Sequence, residues 1–327
     1  MKNMMYAEAL NEAIMEEMDF DKSVYYMGED VRASIYGASN GLYKKFGAER
    51  VLDTPLSENG FIGAAVGSSL VGMRPIVETL TSFMWVAMDQ LISQAAKMKY
   101  MFGGQASLPL TIRAVMYYGG GAAAHHSDRS YPMFMNMPGL KIIIPAFPED
   151  AKGLLKTAVR DNDPCIIFED GNLAGTRGDV LENSEIDSGE LLIPFGKGKI
   201  IREGTDCTIV GIAGGNLHAI SAAEDLEKEG ISVEIIDPRT LVPLDKKIIL
   251  DSVEKTGRLV VVDPAHKVCS AASEIISMVT EEGFWNFQAP PIKIAAEQVH
   301  IPYAPSLEPL IFPDKIKVIE AVRKTME

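Results

Sequence analysis

The sequence predicts an α/β protein built from two doubly wound domains, and three observations carry that reading. Short apolar runs rich in Val and Ile alternate with longer amphipathic runs along most of the chain. At 327 residues the chain exceeds the size that one hydrophobic core usually serves. Between Asp170 and about Thr205 the alternation dissolves into Gly, Asn, Asp and Glu around a hairpin-like piece, ELLIPFGKGKIIR, as a linker zone would. The expected division is a first domain over 1–185, a linker over 186–204 and a second domain over 205–327.

Each element has a local reason. Tyr6 to Met18 sets Leu10, Ile14 and Met18 at helical spacing opposite Glu12, Glu16 and Glu17, an amphipathic helix. SVYYMGED reads as a strand ending in an acidic turn, and Gly41 to Phe46 as a short helix closed by Gly47. In VLDTPLSENGFIG (51–63) an apolar strand breaks at Thr54-Pro55, passes a polar loop holding Glu58 and enters a helix rich in Gly and Ala. RPIVETL is a strand, Met84 to Lys99 a long helix and PLTIRAV a strand. YYGGGAAAHHSDRSYPMFMNMPG is the least periodic segment, with small residues suited to close approach of another group. KIIIP, a helix over 149–161 and PCIIFE complete the first domain. CTIVGIAG, SVEIID, RLVVVD and PIKIAAE, with helices over 216–229, 246–255 and 270–281 and a last one from Asp314, build the second. Alternation of this kind implies parallel sheets covered on both faces.

Composition bounds the function. A net charge of −14, from 31 basic and 45 acidic side chains with no Lys/Arg cluster, argues against nucleic acid. Cys165, Cys207 and Cys269 are widely spaced in apolar runs, so buried reduced thiols and a cytoplasmic setting are expected. The first residues carry acids where a signal peptide needs an apolar core, and no run approaches the ~18 apolar residues of a membrane span.

Four constellations have a chemical and a plain reading. Ser57 or Glu58 is expected either to cap the following helix or, for Glu58, to present an acid to a ligand. Phe83 and Trp85 suit a core position or a stacking face for a flat heterocycle. His125-His126-Ser127-Asp128 is read as a solvent-facing loop or as holding an acid/base histidine, since neighbouring residues give no zinc spacing and no nucleophile elbow. VGIAGGN (210–216), with Asp237 further on, invites a nicotinamide-dinucleotide reading. Its glycines fall as G-x-x-G-G, without the early pair that the pyrophosphate needs.

Taken together, DTPLSENG (53–60), MDQLISQAAKMKYMFGGQ (88–105), HHSDRSYPMFMNMPGLKIIIP (125–145), EDAKGLLKTAVRDNDP (149–164), EIIDPRTLVPLD (234–245) and KTGRLVVVD (255–263) occur in family order. The chain resembles the beta subunit of the thiamine-diphosphate-dependent decarboxylating component of pyruvate, branched-chain 2-oxo acid or acetoin dehydrogenases. The resemblance implies a thiamine-diphosphate-binding fold of the pyrimidine type followed by a transketolase carboxy-terminal-like domain. It implies that Glu58 activates the cofactor through the pyrimidine ring and that Phe83 stacks on that ring. His126 would serve proton transfer to substrate or lipoyl group, with His125 and Arg129 beside it. Residues 158–163, with Ala158, Asp161 and Asp163, match a loop that holds potassium through backbone carbonyls in some members.

This chain has Asp128 where the family commonly has Gln, one residue fewer between Glu78 and Phe83, and DPAHKVCSAASE (263–274) in a form nearer acetoin dehydrogenases. It lacks the G-D-G and later Asn that hold Mg2+ on the diphosphate; Glu169-Asp170-Gly171-Asn172 is not that motif. The resemblance therefore implies half an active site, an alpha-type partner in an α2β2 heterotetramer and a lipoyl-bearing acyltransferase as acceptor. A split transketolase, sharing the domains and the activating acid, is the runner-up.

Overall fold

The computed structural model describes residues 1–117, 121–181 and 191–327. The expected boundary at 185 and the start of the expected linker lie outside the described residues, as do residues 118–120 of the small-residue loop. The chain forms two compact units, 1–117 with 133–195 and 118–132 with 196–327.

In the first part of the chain β1 (Lys2–Met5), α1 (Tyr6–Phe20), β2 (Val24–Gly28), α2 (Leu42–Phe46), β3 (Val51–Asp53), α3 (Glu58–Leu70) and β4 (Arg74–Leu80) follow one another. The expected single helix over 84–99 is instead three pieces: a 3-10 stretch Thr81–Ala87, a π-helical stretch Asp89–Ala95 and α4 (Ala96–Met101). Phe83, Trp85 and Val86 are weak helix formers, and π turns gather where a site distorts the backbone. Then come β5 (Thr111–Met116), α5 (Ala123–His126), α6 (Tyr131–Met135), β6 (Lys141–Ile143), α7 (Pro148–Arg160), β7 (Cys165–Asp170) and β8 (Arg177–Val180). Within the first unit a parallel sheet runs β6-β7-β5-β4-β2-β3.

Two readings of the linker zone are corrected. β8 pairs antiparallel with β1, Lys2 beside Val180, a partnership between distant segments that no local pattern reveals. The hairpin-like piece is no hairpin: β9 (Lys199–Arg202) pairs antiparallel with β11 (Val233–Asp237). The small-residue segment also holds the short helices α5 and α6.

The amphipathic reading of α1 needs one change as well. Glu17, placed on the solvent side, is only 1% exposed, because α7 packs along α1 and brings three cations. Arg160 grips Glu17 through Nε and Nη2 at 2.8 and 2.7 Å, and Lys152 and Lys156 reach Glu16 at 2.7 and 2.6 Å. Beneath this ladder Leu10, Ile14, Leu154, Leu155, Ile76 and Ile167 share the core.

The second unit holds β9, β10 (Cys207–Gly211), α8 (Gly215–Lys228), β11, β12 (Thr240–Val242), α9 (Lys246–Thr256), β13 (Leu259–His266), α10 (Ala271–Gly283), β14 (Ile292–Ala296), α11 (Glu308–Ile311) and α12 (Lys315–Met326). Its sheet runs β14-β13-β10-β11-β9, parallel except for β9. Ser270 and Asp314 cap α10 and α12 through their side-chain oxygens, as their polarity at those positions favours. Ile209, Ile235, Val260, Val262 and Val318 form the core. Cys165 and Cys207 are buried and free; Cys269 is free but exposed, because it sits on the loop between β13 and α10 rather than in an apolar element.

Candidate functional site

Two loops leave the same edge of the first sheet. β2 and β3 are parallel with Gly28 beside Asp53, so Glu29 and the segment Thr54 to Glu58 both emerge at their carboxyl ends. That is where parallel sheets place their ligands. Pro55 disfavours helical backbone in the residue before it, and α3 starts only at Glu58. Ser57 occupies the N-cap position but does not cap: its hydroxyl donates to Asn59 Oδ1 at 3.0 Å. Glu58 lies in the first turn, half-buried, its charge aligned with the helix dipole.

Beside it is a residue that the sequence reading passed over. Burial pushes the Glu29 carboxyl above its ordinary value, and the neighbouring Glu58 and Asp30 carboxylates push it further, against a backbone N–H from Ser57. Glu29 Oε1 is buried with no hydrogen-bond partner among the described residues. Two adjacent carboxyls with an open oxygen form a place that favours a proton more than an isolated carboxyl does and can receive a donor. The available signal was an acid immediately after a strand, GED, on the edge that also carries Glu58.

Phe83 stands half-buried in the 3-10 stretch after β4, which packs on α3. Trp85 stacks on Phe134 with ring centroids 6.4 Å apart but is 36% exposed, so it is not a core residue. The rings of Tyr36 and Tyr117 lie 5.6 Å apart, and burial raises both hydroxyls, with Glu78 acting on each. Both phenols stay neutral at ordinary pH.

Under this edge lies a buried charged cluster. The Arg113 guanidinium donates through Nε and Nη2 to the two oxygens of Glu169 at 2.7 and 2.5 Å. Its Nη1 donates to Glu78 Oε2 at 2.5 Å and to the Tyr26 hydroxyl, which donates to Glu78 Oε2 in turn. Arg113 is 1% exposed, and burial pushes Glu169 up although Arg113 opposes it.

The histidines lie in the second unit, on α5, exposed and edge to face with ring centroids 5.2 Å apart. Their loop is pinned from both sides. Gly121 N–H donates to Glu308 at 3.2 Å, and Arg129 is buried, its guanidinium 4.2 Å over the Phe312 ring and 2.6 Å from the Ser127 carbonyl. Arg129 thus holds the loop, while His125 and His126 project from it. After it, the Tyr131 hydroxyl donates to Asp263, which also accepts from Ala265 and Ala272 N–H at 2.9 Å each.

The glycine turn after β10 is closed on itself. Asn216 Nδ2 donates to the Gly211 carbonyl at 2.8 Å, and the N–H groups of Gly215, Asn216 and Leu217 bond the turn's own carbonyls. Asp237 accepts from Arg239 N–H at 2.9 Å, a turn contact rather than a ribose one. Cations of the chain gather at the 158–163 segment. Arg74 Nη1 donates to the Val159 and Asp161 carbonyls at 3.0 Å each, and Lys141 and Lys99 reach Asp161 and Asp163 at 2.5 Å each. No group of three or more His, Cys, Asp or Glu among the described residues could hold a metal ion. No helix among them is long and apolar enough to cross a membrane.

Two family profiles match this chain: the transketolase pyrimidine-binding domain over residues 2–175 and the transketolase C-terminal domain over 196–318. The beta subunit of acetoin:2,6-dichlorophenolindophenol oxidoreductase from Cupriavidus necator is 44% identical, over 98% of this chain and 96% of its own. The 2-oxoisovalerate dehydrogenase beta subunit of Bacillus subtilis is 40% identical over the whole of both chains. The pyruvate dehydrogenase E1 component beta subunit of Rhizobium meliloti is 41% identical over 99% of this chain and 70% of its own. A split-gene transketolase structure, an inactive β4 tetramer, superposes with a TM-score of 0.78 at 22% identity, over 98% of this chain and 97% of that one, a likeness of fold.

Proposed function

This chain belongs to the family of E1 beta subunits of thiamine-diphosphate-dependent 2-oxo acid and acetoin dehydrogenases, and from that membership we propose a division of labour among its residues. The observation that carries the proposal is the half-buried Glu58 in the first turn of α3, beside a Glu29 whose buried oxygen has no partner among the described residues. Thiamine diphosphate, when bound, supplies a carbon nucleophile and an electron sink. Glu58 holds a proton at the pyrimidine ring nitrogen, and Glu29 stands beside it as a second carboxyl. Phe83 offers its face to the ring. His126 gives and takes a proton at the substrate or the lipoyl group, with His125 beside it and Arg129 fixing the loop.

The rest of the assembly is proposed on the same basis. An alpha-type partner in an α2β2 heterotetramer supplies the Mg2+ ligands for the diphosphate, which this sequence lacks. The acyl group passes to a lipoyl-bearing acyltransferase, and the setting is cytoplasmic. A potassium ion on the carbonyls of Ala158 and Asp161 and on Asp163 is compatible with Arg74, because a carbonyl oxygen has two lone pairs and Arg74 takes one. The test is calorimetry with thiamine diphosphate and Mg2+. Tight binding is expected only when the alpha-type partner is present; micromolar binding by the isolated chain overturns the half-site reading.

A further inference from the structure

We propose that Arg113 is a positioning residue for the acid pair of the candidate site, acting through Glu78 and Gly28 on Glu29. The inference rests on the functional reading only in naming what is positioned. One guanidinium in the middle strand of the sheet touches side chains from β2, β4 and β7, and itself stands on β5. The loops that leave those strands carry the site's residues: Glu29 and Tyr36 follow β2, Phe83 follows β4 and Tyr117 follows β5. Gly28, Glu78 and Arg113 lie in one row across β2, β4 and β5. At that row the backbones of β2 and β4 are in close approach, since a Cβ on Gly28 would meet the Glu78 carbonyl oxygen at 2.5 Å. Glu29 is the next residue, so wherever Glu78 is held, Glu29 is held too.

General stability does not explain the arrangement. A cation and two carboxylates buried in a dry sheet cost more to desolvate than aliphatic side chains in the same volume, which often serve equally well or better. The flanking positions on the same strands carry no charge: Val77 and Thr79 on β4 and Ile112 and Ala114 on β5. Glu78 and Arg113 stand in one row toward the carboxyl ends of their strands, and Glu169 stands two residues further along, opposite Val115. A fully directional network fixes one arrangement where apolar packing tolerates several, and a site needs that precision in its supporting residues.

The test uses this chain alone and reads the titration of Glu29, by carboxyl carbon-13 resonance. Glu29 faces Glu58 and Asp30 and accepts from Ser57 N–H; Arg113 faces Glu78, Glu169, Tyr26, Tyr6 and Tyr117. The triple variant Arg113→Met, Glu78→Gln, Glu169→Gln removes the cluster's charges together and leaves no lone buried ion. Its melting midpoint is expected to stay near wild type, while the Glu29 midpoint falls by roughly half a pH unit or more as the acid pair loosens. Arg113→Lys, which keeps the charge but loses the fork, is expected to give a smaller shift in the same direction. A wild-type Glu29 midpoint in either folded variant overturns the inference. Unfolding of both variants does so too, since the cluster would then be structural rather than positioning. Because neither cofactor nor partner is involved, failure here is distinct from failure of the thiamine reading.

Discussion

The two units use the same parallel architecture and finish its carboxyl edge in different ways. In the second, the buried Asp263 at the end of β13 is fully engaged, accepting from the Tyr131 hydroxyl, from Ala265 N–H and from Ala272 N–H in the first turn of α10. The glycine turn after β10 is closed by Asn216. In the first, Glu29 and Glu78 each keep one buried oxygen with no partner among the described residues, and Glu58 stands at an uncapped helix start. The second edge leaves a buried amide oxygen open, Asn216 Oδ1, where the first leaves two carboxylate oxygens open. Open carboxylate oxygens make the first edge the stronger candidate for a ligand, because buried acceptors are usually met by a donor.

The comparison can be broken at its closed edge. Asp263→Ala leaves the Tyr131 hydroxyl and the Ala272 N–H without an acceptor in a buried place, Ala265 N–H keeping the Tyr131 oxygen, so it should destabilise by about 3 kcal/mol and lower the melting midpoint well beyond any single change at the open edge. A shift no larger than that of Glu29→Gln would erase the distinction between the edges.

The next effect concerns the pinned loop. His126→Ala should leave folding and cofactor binding intact and slow acyl transfer to lipoyl groups by about 10², the scale of lost acid-base help. Transfer at the wild-type rate in the reconstituted complex would return His126 to a solvent-facing loop residue. Arg129→Met at the same loop should lower the melting midpoint, since it removes a buried guanidinium from the Phe312 face and from the Ser127 carbonyl.

The smallest effect sharpens the open edge. A carboxyl raised in the fold binds its proton more tightly there than in the unfolded chain. Its contribution therefore favours folding at low pH and is lost as pH rises from the ordinary glutamate value through the raised one. Glu29→Gln stays uncharged throughout, so it should match wild type in acid and melt about 1 to 2 °C higher at neutral pH. A variant less stable than wild type at neutral pH would mean that Glu29 is an engaged acceptor like Asp263.

Much of the fold was legible in the residues. β4 spans the run RPIVETL, and the aliphatic strands of the second unit stand out because burial on both faces leaves them no polar alternation. What escaped was non-local. Glu17 looks solvent-facing until α7 supplies Arg160 from 143 residues away, and β8 finds β1 only in the folded chain. The 81–101 segment reads as one helix because its apolar spacing is helical, while Phe83, Trp85 and Val86 near its start weaken it. Within the site, Glu58 is visible in sequence because a proline and a small-residue helix flank it. Glu29 and Arg113 are not, since each becomes informative only through sheet register.

Activation of the cofactor by Glu58 is read by hydrogen-deuterium exchange at the thiazolium carbon of thiamine diphosphate bound to the complex reconstituted with the alpha-type partner. Glu58→Gln keeps the size and a hydrogen bond, so a merely structural role would cost at most about 1 kcal/mol of stability and leave exchange alone. An activating Glu58 gives an assembled, normally melting variant in which exchange slows by roughly 10² to 10⁴. Exchange at the wild-type rate in that assembled variant would contradict it.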